Sequence, residues 1–354
     1  MTTKKSLRNL LNNYELVNKL ERIGITTAKD LLESNKYYLM HQLSLSLKDI
    51  DIIIYEASGN LFDQNKITCL EIFNEMTTSK RFISTSVITI DNALRGGLPI
   101  GSITEIVGSP GTGKTQFCLG VCIQSLVDHW KNNSYNDGGV LYYDTENKFD
   151  ATRFKKIAIS KFPELFDPLI STDASHRLDK LCSKVEIRKV NSTNELNEDI
   201  SSKETKDLIV ERGISLIIID SIACLFKNEY GGDDRDKEKF LMAPAAMLKT
   251  IADKAGVTVL VTNQISQVDS SFDDTNIFGD TYIQNSSEIK PFLGPTWHHC
   301  ITSRLVMQSS LINFIQSDER FIHLTKSPIA PYSKIMYTIT DAGITCLSND
   351  SNII

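Results

Sequence analysis

The sequence predicts an α/β fold: a mostly parallel sheet with helices on both faces, preceded by a small all-helical N-terminal domain. Three observations lead there. Residues 1–58 carry apolar side chains at helical spacing. From Phe82 onward short apolar runs alternate with amphipathic stretches, as strand–helix–strand units do. The first strand–helix junction holds a glycine-rich segment, Gly108 to Thr115.

In the N-terminal domain the first helix falls within LLNNYELVNKLERIGI, with Leu16, Leu20 and Ile23 on one face. TTAKDLLES opens on a helix cap and ends in a polar break. SLKDIDIIIYEAS reads as a third helix with Ile50, Ile53, Ile54 and Ala57 on one side. Residues 59–80 mix Asn, Gln, Thr and Lys around a short amphipathic piece, ITCLEIF, and read as a linker. Residues 81–354 form the second domain. There SITEIVG precedes the helical TQFCLGVCIQSLVDHW, and GVLYYD precedes DATRFKKIAIS. KVEIRKV precedes TNELNEDISSKETKDLIV, SLIIID precedes KEKFLMAPAAMLKTIADKAG, and VTVLVT follows. TSRLVMQ, FIHLTKS and KIMYTIT lack intervening helices and are expected to add antiparallel strands at one edge.

Composition narrows the function classes. The chain has 354 residues and a net charge of −6, so it lacks the global basic signature of a nucleic-acid binder. No apolar run reaches the roughly 20 residues that span a bilayer, and no membrane partner is expected. The start, MTTKKSLRNL, lacks the apolar core of a secretory signal. The 7 cysteines are scattered, without a CxxC pair, and read as reduced, mostly buried thiols of an intracellular protein.

The chemistry concentrates in GSPGTGKT: Gly108, Ser109, Pro110, Gly111, Thr112, Gly113, Lys114 and Thr115, with Gln116 next along the helix. It fits the phosphate-binding P-loop pattern, with a strand before it and a helix after it. Gly111 and Gly113 let backbone N–H groups turn inward to form an anion nest at a helix N-terminus. Lys114 would set a point charge against the outer phosphates of ATP, and the Thr115 hydroxyl would ligate Mg²⁺. The alternative is a glycine-rich turn with an exposed lysine.

Three further groups complete the candidate site. Asp220 emerges at the carboxyl end of LIIID and would hold the metal with Thr115, although a capping Asp after a buried strand reads the same way. Glu146 ends YYDTE and would orient or deprotonate water; alternatively Asp144 and Glu146 cap the helix near Asp150. Asn263 and Gln264 end another strand, where a neutral amide can report the γ-phosphate to the long loop that follows.

These pieces in this order resemble the RecA family in its eukaryotic recombinase branch. GGLPIGSITEIVGSPGTGKTQFC, YYDTENKFDATRF, LIIIDSIA, VLVTNQI and TSRL carry the resemblance, over roughly residues 82–345. LGPTWHHCITSRLVMQ and TKSPIAPYSKIMYTITDAGI are most similar to the non-catalytic paralogs of that branch, the B group among them. The resemblance implies a RecA-like P-loop ATPase core, a helix-hairpin-helix-like N-terminal domain and a nuclear location. By that likeness Lys114, Glu146 and Gln264 are the catalytic set, Gln264 being the γ-phosphate sensor. Arg153 would stack on adenine, His299 would lie near a neighbouring subunit's nucleotide, and Lys326, Ser327 and Pro328 would form a cap over a neighbour's ATP.

Bland readings stand beside some of these residues. His298, His299 and Cys300 look like metal ligands, but adjacent residues on a strand would point to opposite faces. Trp297 is expected to pack rather than stack on bases. DDRDKEK reads as a solvated loop and helix start in the place of the family's first DNA-binding loop, with Arg235, Lys237 and Lys239 offset by acidic neighbours including Glu229.

The chain also departs from the strand-exchange members. Ser44 stands in LSLSLKD where a DNA-binding hairpin needs glycine. Phe73-Asn74-Glu75-Met76 carries Met where their Phe-x-x-Ala plug has a small residue, and Lys326 replaces an acidic residue. The segment Ser266–Phe292, in the place of the second DNA-binding loop, carries Asp269, Asp273, Asp274, Asp280 and Glu288 against one base, Lys290, a net charge of −4. Phosphate contact needs cations; Phe272, Phe278 and Tyr282 could stack on bases, though a partner-facing role is expected. The leading expectation is an ATP-binding paralog in a hetero-complex with other recombinase paralogs. It would assist the strand-exchange recombinase on single-stranded or branched DNA, with weak DNA-dependent ATPase activity alone. The rivals are an autonomous filament-forming strand-exchange ATPase and a non-hydrolysing scaffold.

Overall fold

The computed structural model describes residues 6–11, 13–34, 36–61, 70, 81–132, 138–230, 234–265, 291–312 and 315–346. Two compact units divide the chain, Met1–Ser79 and Lys80–Ile354.

The first unit is helical: α1 (Tyr14–Arg22), α2 (Ala28–Glu33), α3 (Lys36–Leu43) and α4 (Leu47–Leu61). Thr27 and Asp30 form a capping box at α2, each side chain accepting from the other's backbone N–H. Leu20, Leu31, Leu39, Ile50, Ile53 and Ala57 meet in its core. The α1 face is rotated from the expected one: Val17 and Leu20 are buried, while Leu16 and Ile23 lie at its margin. Helix α3 escapes the periodicity because polar and aromatic residues interrupt its apolar face. Ser44 follows it with φ +56°, so the turn requires the left-handed conformation that glycine adopts without strain. Helix α4 continues past the expected boundary at 58, and the segment Phe73–Met76 lies outside the described residues.

The second unit is built on a 9-stranded sheet. The strands of that sheet and the longer helices after it begins are, in chain order, β1 (Ile103–Gly108), α5 (Lys114–Asn132), β2 (Gly139–Asp144), α6 (Ala151–Lys161), α7 (Ala174–Ser183), β3 (Val185–Lys189), α8 (Thr193–Ser201), α9 (Lys203–Glu211), β4 (Ile214–Asp220), α10 (Ile222–Tyr230), α11 (Asp234–Ala255), β5 (Thr258–Asn263), α12 (Gly294–Cys300), β6 (Ser303–Ile312), β7 (Ile315–Lys326), β8 (Ser333–Thr340) and β9 (Gly343–Cys346). Short helices at Ile88–Ala93 and Pro163–Phe166 and a two-stranded sheet of Phe82–Ile83 with Leu98–Pro99 complete the unit's described elements. In space the strands run β9-β8-β7-β6-β1-β5-β4-β2-β3. Strand alternation assigns side chains to the two faces. Leu216 and Ile218 pack with Phe117 and Cys118 of α5, whereas Ile217 and Ile219 pack with Leu241 and Leu248 of α11.

Four sequence expectations are corrected. TNELNEDISSKETKDLIV is two helices, because the Ser202 hydroxyl accepts from Thr205 N at 3.0 Å and starts a new one. The β6 strand is parallel to β1, and the antiparallel extension begins with β7. A further strand, β9, pairs with β8 across a turn at Gly343, which has φ +84°. His298, His299 and Cys300 lie on helix α12, so the strand argument for them fails. Among the described residues no group of three or more His, Cys, Asp or Glu could hold a metal, and no helix is long and apolar enough to cross a membrane. Cys118 and Cys122 are buried, and the other described cysteines are partly buried.

Candidate active site

Strands β1, β2, β4 and β5 end together, with Asp144 paired to Asp220 and Val107 to Asn263. Ligands of open α/β sheets bind at such carboxyl ends. The glycine-rich loop leaves β1 here and enters α5. Gly111 and Gly113 have φ +80° and +99°, the left-handed region that turns the backbone. At Gly108 a Cβ would stand 2.7 Å from the Met307 carbonyl oxygen, so the close approach of β6 excludes any side chain.

Lys114 Nζ donates to the Gly108 and Ser109 carbonyls at 2.8 and 3.0 Å. Burial lowers its pKa, opposed by the nearby carboxylates of Asp220 and Glu146. The Thr115 hydroxyl donates to Asp220 Oδ2 at 2.7 Å. Tyr142 donates to the same oxygen at 2.9 Å, and Thr262 to Oδ1 at 2.6 Å. Gln116 Oε1 accepts from Arg153 Nε at 2.6 Å, and Arg153 Nη2 reaches the Thr340 carbonyl at 2.6 Å. The planar guanidinium is thereby fixed at the site's rim.

The turn after β2 separates the roles of its carboxylates. Asp144 accepts from the backbone of Lys148 and Phe149, at 3.0 and 2.9 Å, and shapes the turn. Asp150 caps α6. Glu146 caps nothing. Its Oε1 accepts from Gln264 Nε2 at 3.3 Å, and its Oε2 pairs with Lys148 Nζ. Gln264 Oε1 accepts from Lys227 Nζ at 2.5 Å, and that ammonium lies 5.0 Å from the Phe292 ring centroid. The Asn263 side chain does not face the site. It is buried, accepts from Gln264 N at 2.7 Å and donates to Glu105 at 2.7 Å. Gln264, half-buried, therefore carries the amide that faces Glu146, and Asn263 positions its backbone. The long loop starts and ends at one place: Ile265 bridges Pro291, and Phe292 N donates to the Gln264 carbonyl at 2.9 Å. Residues 266–290 and the side chains of Arg235, Lys237 and Lys239 lie outside the described residues.

Sequence reasoning missed the supports of this site. The C-terminal strands brace the phosphate-type loop: the Tyr337 hydroxyl donates to the Thr112 carbonyl at 2.5 Å, and Arg320 Nη1 to that of Gly111 at 2.8 Å. Beneath it, fully buried Glu105 accepts from Asn263, from Trp297 Nε1 at 2.8 Å and from Arg304 Nε at 2.5 Å. Trp297 is packed, as expected. A charged residue inside the apolar run SITEIVG was the signal for this network, since a buried charge requires partners. Lys326 Nζ donates to the His298 and Ile301 carbonyls at 2.5 and 2.9 Å, tying down the end of α12. His299 is exposed on that helix, and Glu229 accepts from Thr193 N at 2.6 Å.

The Rad51 family profile matches residues 78–347. The chain is similar to the human DNA repair protein RAD51 homolog 2, at 32% identity over 96% of this chain and 88% of that one. The mouse protein of the same name is also 32% identical, over 96% of this chain and 97% of that one. The Arabidopsis thaliana protein of that name is 28% identical, over 92% and 86%. The sheet, the glycine-rich loop and the acidic strand ends form the RecA-like core expected from the sequence, and the chain belongs to the Rad51 family.

Proposed function

We propose that this chain is an ATP-binding recombinase paralog. It acts in a hetero-complex with other paralogs and assists the strand-exchange recombinase on single-stranded or branched DNA. The process is homologous recombination and double-strand break repair, in the nucleus. The observation that carries the reading is the Thr115–Asp220 contact at 2.7 Å beside Lys114, in a chain 32% identical to RAD51 homolog 2.

The donor set fits Mg²⁺ and ATP. Two oxygens at that distance suit a hard cation that takes few protein ligands and keeps phosphate and water for the rest. Mg²⁺ bound there supplies charge neutralisation for the phosphates. Gly111, Gly113 and the start of α5 present backbone N–H groups, with Ser109, Pro110 and Thr112 completing the loop. Lys114 turns its ammonium from the loop carbonyls to the phosphates. Glu146 orients and deprotonates water, Gln264 senses the γ-phosphate, and Arg153, held by Gln116, offers a flat cation to the adenine. Rad51 proteins are DNA-dependent ATPases in general; in this chain ATP serves mainly as interface glue and switch, with slow turnover.

Lys114→Ala tests the reading. It is expected to weaken ATP binding and destabilise the complex with partner paralogs. Unchanged assembly in ATP would favour a non-hydrolysing scaffold, and regular filaments of the purified chain on single-stranded DNA in electron micrographs would favour an autonomous recombinase.

A further inference from the structure

Both oxygens of Glu146 are engaged: Oε1 accepts from Gln264 and Oε2 pairs with Lys148. The second contact is built into the turn. Asn147 has φ +53°, a left-handed step that brings the chain back on itself. Asp144 then holds the Lys148 and Phe149 N–H groups at 3.0 and 2.9 Å. The Phe149 ring packs edge-on against Tyr142, with centroids 5.0 Å apart. Lys148 therefore starts from an anchored backbone and has a short reach to the carboxylate.

The charges around Glu146 come from several elements. Lys114 enters from α5, Asp220 from β4, and Lys227 of α10 acts through Gln264. Lys148 alone among these has Glu146 as its direct hydrogen-bonded partner. That pairing raises the Lys148 pKa, so it stays an ammonium at neutral pH. With an amide on Oε1 and an ammonium on Oε2, a water must displace one of these donors before it can donate to the carboxylate.

We infer that Lys148 is a positioning residue that acts through Glu146 as a brake on ATP hydrolysis, prolonging the ATP-bound state. The inference rests on the reading of Glu146 as the water-activating carboxylate. No bond to Lys148 forms or breaks. Its ammonium competes with water for the carboxylate oxygen.

The test is single-turnover hydrolysis of ATP with Mg²⁺ by the full-length chain in the complex in which it purifies, alongside titration with a fluorescent ATP analogue. Lys148→Ala is expected to speed hydrolysis about threefold, the scale of a partly exposed ion pair, with nucleotide affinity unchanged. Lys148→Arg is expected to restore the slow rate, and Lys148→Ala on a Glu146→Gln background to give no gain. An unchanged, slower or undetectable rate in Lys148→Ala overturns the inference, and so does weakened ATP binding, which would make Lys148 a phosphate ligand. If Glu146→Gln alone turns over at the wild-type rate, the assignment of Glu146 fails and the brake with it. A dead Glu146→Gln beside an unaffected Lys148→Ala overturns the brake alone.

Discussion

The Thr115 hydroxyl and Asp220 Oδ2 meet at 2.7 Å, although the residues are 105 positions apart in sequence. Tyr142 and Thr262 donate to the same carboxylate at 2.9 and 2.6 Å, so three hydroxyls orient it. Burial pushes the Tyr142 phenol well above its ordinary pKa, so it remains a neutral donor. Asp220→Asn keeps the shape of this group and removes its charge. The variant is expected to fold normally and to lose the gain in ATP affinity that Mg²⁺ provides, by about tenfold or more. Calorimetric titration with ATP in Mg²⁺ and in EDTA reads this directly; an equal Mg²⁺ effect in both proteins would move the metal elsewhere.

The parts of the site that a reader of the sequence can see are those whose chemistry is local. Gly111, Gly113, Lys114 and Thr115 sit in one short segment, and Asp220 ends a strand that shows as an unbroken apolar run. What brings Thr115 to Asp220 is sheet order, and no local pattern states it. The brace from Tyr337 and Arg320 is hidden for the same reason: β8 and β7 reach the loop only after the hairpin has folded back along β6. Helix α12 does not show in the sequence because GPTWHHC is too short to display a helical period. Its actual determinants are distant: Glu105 under Trp297, and Lys326 on its terminal carbonyls.

Glu105 and Arg304 face each other with almost no exposure, 0% and 7%. A buried ion pair adds little net stability over an apolar pair, but removing one partner strands the other charge. Arg304→Met is therefore expected to destabilise the second unit by about 3–5 kcal/mol. Glu105 would keep only the Asn263 and Trp297 donors. Urea unfolding followed by tryptophan fluorescence gives the number, and a midpoint like that of the wild type would show that those two neutral donors suffice.

His323 ties stability to acid. It is buried in β7, with Nδ1 2.9 Å from the Tyr332 hydroxyl. Burial, with Lys334 nearby, lowers its pKa from 6.5 to about 4. Below pH 6.5 the unfolded chain takes up a proton that the fold refuses until about pH 4, so stability present above pH 6.5 is lost as pH falls through that window. The slope approaches about 1.4 kcal/mol per pH unit. His323→Gln removes the titrating group and keeps a polar partner for Tyr332. Its unfolding free energy is expected to change less between pH 7 and pH 5 than that of the wild type. Equal slopes would assign the acid sensitivity to other groups.

The loop that follows Gln264 sets the last expectation. Its two ends are joined by the Ile265–Pro291 bridge and by the Phe292 N–H to the Gln264 carbonyl at 2.9 Å. The side chain that faces Glu146 and the start of the loop therefore belong to one residue, Gln264. Between Ser266 and Phe292 the charge is −4, which opposes a phosphate backbone. Replacing Asp273 and Asp274 by Lys reverses that balance. The double variant is expected to bind single-stranded DNA more tightly, with a steeper fall in affinity as salt rises, because each new phosphate contact releases counterions. Fluorescence anisotropy with a labelled oligonucleotide at several salt concentrations measures both quantities. Tighter binding with the steeper slope assigns the weak grip to these carboxylates. An unaltered salt slope would mean that the loop keeps away from DNA, leaving its aromatic residues to a protein partner.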